Sequence, residues 1–187
     1  MALQDVPRSP NSNPALVNVT AKIVLVVAVS LSVYQLYTAG IATLTALVQR
    51  SIHLGAILVL TFLLKPPFSS ARKDRVNLWV VMDWVLVAAS VYCTAYICIN
   101  LSEIFERQGD WLPADLMVGI IGTLLVLEAC RRVIGVIMAG ICSVAMLYAY
   151  FGQYMPELII HKGYSIERIS TTLWLTTEGI FGLPIGV

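Results

Sequence analysis

Residues 78–101, LWVVMDWVLVAASVYCTAYICINL, decide the fold of this protein. The stretch contains one charged side chain, Asp83, and neither proline nor glycine. A helix needs about 20 apolar residues to cross the hydrocarbon core of a bilayer, so this run is long enough to span it. Trp79 and Trp84 stand where an interfacial belt of aromatic residues is expected. The stretch therefore predicts a transmembrane helix.

The composition extends this prediction to the whole chain. Of its 187 residues, 58% are hydrophobic and 12% are charged, and the mean hydropathy is +0.82. Soluble chains are about 45–50% apolar and about 25% charged, so the composition excludes an ordinary soluble domain. The formal net charge of +1 does not indicate a nucleic-acid partner.

Four more apolar runs accompany residues 78–101: Ile23–Val48, Ile52–Leu64, Leu116–Cys130 and Val133–Phe151. The short run Ile52–Leu64 is adequate for a crossing if Thr45–Arg50 joins the same helix. Backbone polar groups in hydrocarbon must be satisfied internally, and continuous apolar runs favour helices over alternating strands. We expect an all-α polytopic transmembrane bundle of about five spans, with an interfacial helix and the start of a broken apolar segment.

The cations predict the orientation of these spans. If the N-terminus is cytoplasmic and every run crosses, the cytoplasmic side holds Arg8, Lys22, Lys65, Arg72, Lys73, Arg75, Arg131 and Arg132, and the outer side holds Arg50, Arg107, Lys162 and Arg168. The larger number lies inside, as the positive-inside rule requires. In an alternative, Ile52–Leu64 is a re-entrant hairpin. That arrangement puts the loop KPPFSSARKDRVN outside and loses the match, so we prefer the full crossing.

Ionisable residues near the runs are candidate functional residues, because lipid makes a charge costly. Arg50 and His53 are three residues apart and share one helix face. They suit a contact with a lipid headgroup or an anionic ligand, or an anchor at the membrane interface. We favour the anchor, because an interfacial position is the least costly for both groups.

Asp83 lies about one turn into its run, and three roles are open to it. A carboxylate there gains from the dipole at the helix N-terminus. It can instead pair with cations of the preceding loop, namely Arg72, Lys73 or Arg75. A proton or ion relay is the third role, which its position near the cytoplasmic surface disfavours.

The stretch LEACRRVIG is the most informative charged cluster. Glu128 precedes Arg131 by three residues and Arg132 by four. Both spacings put opposite charges on one helix face, with the acid in the more favourable N-terminal place. We expect a structural clamp between neighbouring helices and weigh a direct role in transport as the alternative.

The last part of the chain combines a capped helix with a broken apolar segment. Ser165 is placed to cap a helix that begins at Ile166, and this helix is expected to be amphipathic and to lie at the outer interface. The residues that then mark the broken segment are Glu178, Gly179, Gly182 and Pro184. Segments interrupted by glycine and proline line cavities in transporters, although one such segment is a weak indication.

Catalytic and metal-binding patterns are missing from the sequence. It lacks GxxxxGK[ST], HExxH and GxSxG, and its four cysteines form no CxxC pair. His53 and His161 are isolated from each other. We therefore predict no enzyme, no metal site and no cofactor.

Four stretches resemble the N-terminal part of the fused membrane subunits of TRAP (tripartite ATP-independent periplasmic) transporters. They are YQLYTAG (34–40), QRSIHLGAILVLTFLLKP (49–66), LLVLEACRRVIG (124–135) and GYSIERISTTLWLTTEGIFGLPIGV (163–187). The resemblance covers the chain from about Tyr34 to Val187, and the order of the stretches is more specific than any one of them.

The resemblance implies a transport function and its partners. In that family a small membrane subunit is joined to a large subunit that forms the transport path, and the large half would be missing here. A periplasmic binding protein, often of the TAXI type in fused systems, delivers an organic anion. Import is driven by an ion gradient, commonly sodium. No sodium or substrate residue carries over to this chain.

The expected organisation has three parts. Residues 1–21 form a disordered cytoplasmic tail, residues 22–151 a region like the small subunit, and residues 152–187 an outer amphipathic segment followed by the start of the transport half. The run Val133–Phe151 belongs either to the scaffold or to the transport half. We expect a multi-pass protein of a bacterial or archaeal inner membrane, in contact with its lipids. The alternative is a membrane anchor or assembly protein without transport activity.

Overall fold

The protein is seen in a computed structural model that describes residues 14–41, 44–67, 78–157 and 159–182. Its helices are α1 Pro14–Gly40, α2 Ala46–Leu64, α3 Leu78–Ile99, α4 Leu101–Glu106, α5 Pro113–Val133, α6 Val136–Phe151 and α7 Ile166–Leu175, with a 3-10 turn at Gly152–Tyr154. Within these ranges the chain has no strand. The predicted all-α fold is confirmed.

Five of these helices are long and apolar enough to cross a membrane. They are α1 from Asn18, α2, α3, α5, and α6 together with the 3-10 turn. The predicted polytopic character is therefore confirmed by the length and composition of the helices. Pro113 occupies the first turn of α5, where the missing N–H of proline leaves no hydrogen bond unmade.

The structure corrects two boundaries at the N-terminal end. Helix α1 begins at Pro14, so residues 14–21 are helical rather than a disordered tail, and residues 1–13 lie outside the described ranges. The run Ile23–Val48 is divided between two helices, because α1 ends at Gly40 and α2 begins at Ala46. Thr45, just before α2, has extended backbone angles. The residues up to Arg50 thus extend α2, as the short second run required.

The packed core lies between α2, α3, α5, α7 and the segment that follows α7. Its fully buried apolar side chains are Leu47, Leu58, Phe62, Cys93, Ile97, Ile104, Val118, Leu125, Trp174, Leu175 and Phe181. Helix α1 packs on α2, and α6 packs on α5 and α7. Helix α6 has no fully buried side chain, so its apolar outer face suits contact with lipid.

Helix α7 packs against the middle of α5, and its predicted place at the outer interface stays a prediction. Gly122 lies near the middle of α5, and a Cβ built on it would overlap the Trp174 indole. A Cβ on Gly119 would lie 2.9 Å from the Ser170 carbonyl oxygen. The two glycines let the helices approach closely, as small residues do in membrane bundles.

The orientation of the bundle is open to a direct labelling test. In a variant without native cysteines, we expect Ser70→Cys to react with an impermeant maleimide only after the cells are permeabilised, because the positive-inside rule predicts that the cationic loop lies inside. Lys162→Cys, predicted to lie outside, is the matched control and should react in intact cells. Labelling of Ser70→Cys in intact cells would contradict this topology.

Candidate functional site

Arg132 is the centre of a buried cluster of charges. Its side chain is 0% exposed and that of Asp83 is 6% exposed. Its Nε donates to Glu128 Oε1 at 2.6 Å, and its Nη1 donates to Asp83 Oδ1 at 2.6 Å. Nη1 also lies 3.1 Å from the Lys65 carbonyl oxygen. The guanidinium therefore joins α5 to the beginning of α3 and the end of α2.

Arg131 completes this group, which we call the Arg132 cluster: Asp83, Glu128, Arg131 and Arg132. Both Nε and Nη2 of Arg131 donate to the Glu128 carboxylate at 2.8 Å, and Nη2 also donates to the Pro67 carbonyl at 2.9 Å. The last carbonyls of a helix have no partner within it and carry partial negative charge. Arginines of α5 thus stabilise the C-terminal end of α2.

The cluster contains the ion pairs that the spacing of LEACRRVIG predicts, and it adds Asp83. The expected loop cations Arg72, Lys73 and Arg75 lie outside the described residues. The structure pairs Asp83 with Arg132, a residue 49 positions away in sequence. Two acids and two arginines balance in charge, which lowers the cost of burying them. The arrangement holds helices together, and its role as a clamp stays a prediction.

Arg50 and His53 contact different parts of the structure although both lie on α2. Arg50 Nη1 donates to the Phe181 carbonyl at 2.6 Å. His53 Nδ1 lies 2.7 Å from Gln35 Nε2, so the Gln35 amide donates to the ring and joins α1 to α2. The local sequence predicted neither of these contacts. The proposed anchor or anion contacts of these residues remain predictions.

The broken segment begins where α7 ends. After Leu175 the chain turns back on itself, and Ile180 N donates to the Leu173 carbonyl at 2.9 Å. Phe181 is buried, with its ring centre 5.2 Å from that of Trp174. Gly179 lies against Leu173, where a Cβ would overlap the backbone. In its described part, up to Gly182, the segment therefore packs into the core of the bundle through Phe181.

Of the residues predicted for this segment, Glu178 is exposed, and Gly182 N donates to the Gly179 carbonyl at 3.0 Å. Pro184 lies outside the described residues. Ser165 caps α7 as predicted, since its side chain accepts from Arg168 N at 3.2 Å.

A second buried acid, Asp115, was missed by the sequence analysis. Its side chain is 0% exposed. It accepts from the Tyr96 hydroxyl at 2.7 Å and from Leu112 N at 2.9 Å, and Arg107 Nη2 lies 3.8 Å away. We call Tyr96, Arg107 and Asp115 the Asp115 cluster. In the sequence, Asp115 is recognisable only as an acid in the first turn after Pro113. That pattern indicates the start of a helix rather than a tertiary contact.

The Asp115 cluster joins the beginning of α5 to the end of α3, and the Arg132 cluster joins the end of α5 to the beginning of α3. The two antiparallel helices are therefore tied at both ends. Among the residues that the structure describes, no group of three or more His, Cys, Asp or Glu is placed to hold a metal ion. Comparisons with protein-family models, with curated proteins and with solved structures find no match.

Proposed function

We propose that this chain is the scaffold portion of the permease of a TRAP-type secondary transporter. The transporter imports organic anions of the carboxylate class, which a periplasmic binding protein delivers. An inward sodium gradient drives the import, and the chain itself does no enzymatic chemistry. Its part is to hold its helices in fixed positions beside the moving transport path.

The observation that carries this proposal is that the four stretches with the family resemblance contact one another. Gln35 of the first stretch pairs with His53 of the second at 2.7 Å. Arg132 of the third stretch donates to the Lys65 carbonyl of the second. Arg50 of the second stretch donates to the Phe181 carbonyl of the fourth. Stretches that are distant in sequence thus form one connected unit, as expected of a scaffold.

The scaffold role is supported by the distribution of buried charge. The Asp115 cluster and the Arg132 cluster bind opposite ends of α3 and α5, and both are largely inaccessible to solvent. Charges inside a membrane bundle pair with each other or line a substrate path. In the Arg132 cluster the described acids and arginines pair with each other. This pairing favours a structural role for them over direct contact with a transported ion.

Uptake into proteoliposomes tests the proposal. We expect the full-length protein that contains this chain, with its periplasmic binding protein, to accumulate a radiolabelled carboxylate from a panel of short-chain organic acids. Accumulation should require the binding protein and an inward sodium gradient, with an equal potassium gradient as the control. It should proceed without ATP. No uptake of any acid by protein that is correctly inserted would favour a membrane anchor instead.

A further inference from the structure

His161 lies in the connection between the 3-10 turn and α7, and backbone groups fix the state of its ring. Nδ1 is 3.1 Å from the Gly163 N–H, which is a donor, so Nδ1 must be unprotonated. Nε2 is 3.1 Å from the Tyr148 carbonyl, which only accepts, so Nε2 carries the proton. The observed connection therefore requires the neutral imidazole in one tautomer.

The connection is built around this ring. His161 N donates to the Gly152 carbonyl at 3.1 Å, and Tyr164 N donates to the Ala149 carbonyl at 2.9 Å. A Cβ on Gly152 would overlap the imidazole, so the ring fits only because residue 152 has no side chain. The backbone bonds that return the chain to α6 are thus adjacent to the imidazole.

Two tyrosine rings lie beside the imidazole, and a cation lies against one of them. The ring of Tyr148, from α6, and the imidazole are nearly perpendicular with centroids 4.8 Å apart, and the Tyr148 hydroxyl donates to the Ile159 carbonyl. The ring of Tyr164, two residues before α7, lies 5.7 Å away, and the Arg168 guanidinium lies 5.3 Å from the Tyr164 ring. Within the described ranges no carboxylate forms an ion pair with His161. A protonated imidazole would therefore have no carboxylate in an ion pair with it among the described residues.

We propose that His161 makes the connection between α6 and α7 sensitive to protons. Protonation of Nδ1 would place an N–H against the Gly163 N–H, which removes one hydrogen bond and sets two donors face to face. We call the observed connection closed, and the connection without the Gly163 N–H to Nδ1 bond open. The open form can take up a proton on Nδ1, whereas the closed form cannot. A fall in pH therefore favours the open form.

His53 provides an internal contrast. Its partner is the Gln35 side-chain amide, which can rotate to present oxygen instead of nitrogen to a protonated ring. The partners of His161 are backbone groups that cannot exchange donor for acceptor. The sensitivity is thus assigned to His161 alone of the two histidines, and it does not depend on the proposed transport function.

Amide hydrogen exchange tests this inference on the full chain in lipid nanodiscs. The readout is the protection factor of the Tyr164 amide, which corrects for the intrinsic effect of pH on exchange. We expect wild-type protection to fall by about tenfold or more between about pH 8 and about pH 5.5. In His161→Asn the side-chain oxygen can accept from the Gly163 N–H in an Asx turn and gains no proton, so the ratio between the two pH values should be close to one.

His53→Asn is the matched control and should keep the wild-type ratio. Equal protection of the wild type at both pH values, or the wild-type ratio in His161→Asn, would overturn the inference. Nitrogen NMR of the labelled imidazole gives a second measurement. At about pH 8 we expect a protonated Nε2 and an unprotonated Nδ1, and the opposite tautomer would also overturn the inference.

Discussion

Replacing Arg132 with alanine is expected to destabilise the bundle by about 3–5 kcal/mol, the usual effect of removing one member of a buried ion pair. The side chain is fully buried and binds Asp83, Glu128 and the Lys65 carbonyl. The substitution leaves both acids without the cation that they share and removes the contact that joins α5 to α2. The free energy of unfolding, measured by steric trapping in bicelles, would show the loss.

Arg131→Ala is the matched control for this prediction. The Arg131 side chain is 25% exposed and shares its acid, Glu128, with Arg132. We expect a loss of about 1 kcal/mol, near the upper end for partly exposed pairs. Asp83→Asn combined with Arg132→Met should destabilise less than the sum of the two single changes, because the partners are in direct contact. Equal losses for the two arginine variants would argue against a central role of Arg132.

Gly122→Ala is expected to lower stability by about 1–3 kcal/mol or more, as overpacking of a tight core does. The added methyl group would overlap the Trp174 indole, which is 1% exposed and cannot move outward without disturbing Phe181. The variant therefore tests whether α7 packs on the middle of α5. The same unfolding measurement applies, and we also expect faster proteolysis after Leu175, since the broken segment would lose its support.

Gly140→Ala in α6 is the matched control for Gly122→Ala. A Cβ at residue 140 would meet no atom within 4 Å. Alanine favours a helix over glycine by about 0.5–1 kcal/mol, so this variant should be as stable as the wild type or slightly more stable. If Gly122→Ala behaved like Gly140→Ala, α7 could not lie where the structure places it.

The sequence predicted the features of this structure that are formed by residues close together in the chain. The apolar runs gave the spans, since bilayer thickness sets their length. Ser165 predicted the start of α7, because a cap involves groups within one turn. The spacing of Glu128, Arg131 and Arg132 predicted their ion pairs for the same reason. These features need no knowledge of which helices are neighbours.

Features that depend on neighbouring helices were not predictable from one sequence. Asp83 and Arg132 are separated by 49 positions, and Arg50 and Phe181 by 131, so no periodicity connects them. The packing of α7 on α5 depends on Gly119 and Gly122, whose small size matters only when the partner helix is known. Arg50 and His53 shared a predicted face, yet different neighbours gave them different contacts.

The carbonyls at the end of α2 have a consequence for the order of biosynthesis. Lys65 and Pro67 receive their arginine partners from a helix made some 64 to 67 residues later. A ribosome that has inserted only the first three spans has therefore produced an α2 whose C-terminal end still lacks these bonds. Maturation of that end must wait until residue 132 emerges, and a nascent chain arrested earlier should remain exposed there to membrane quality-control proteases.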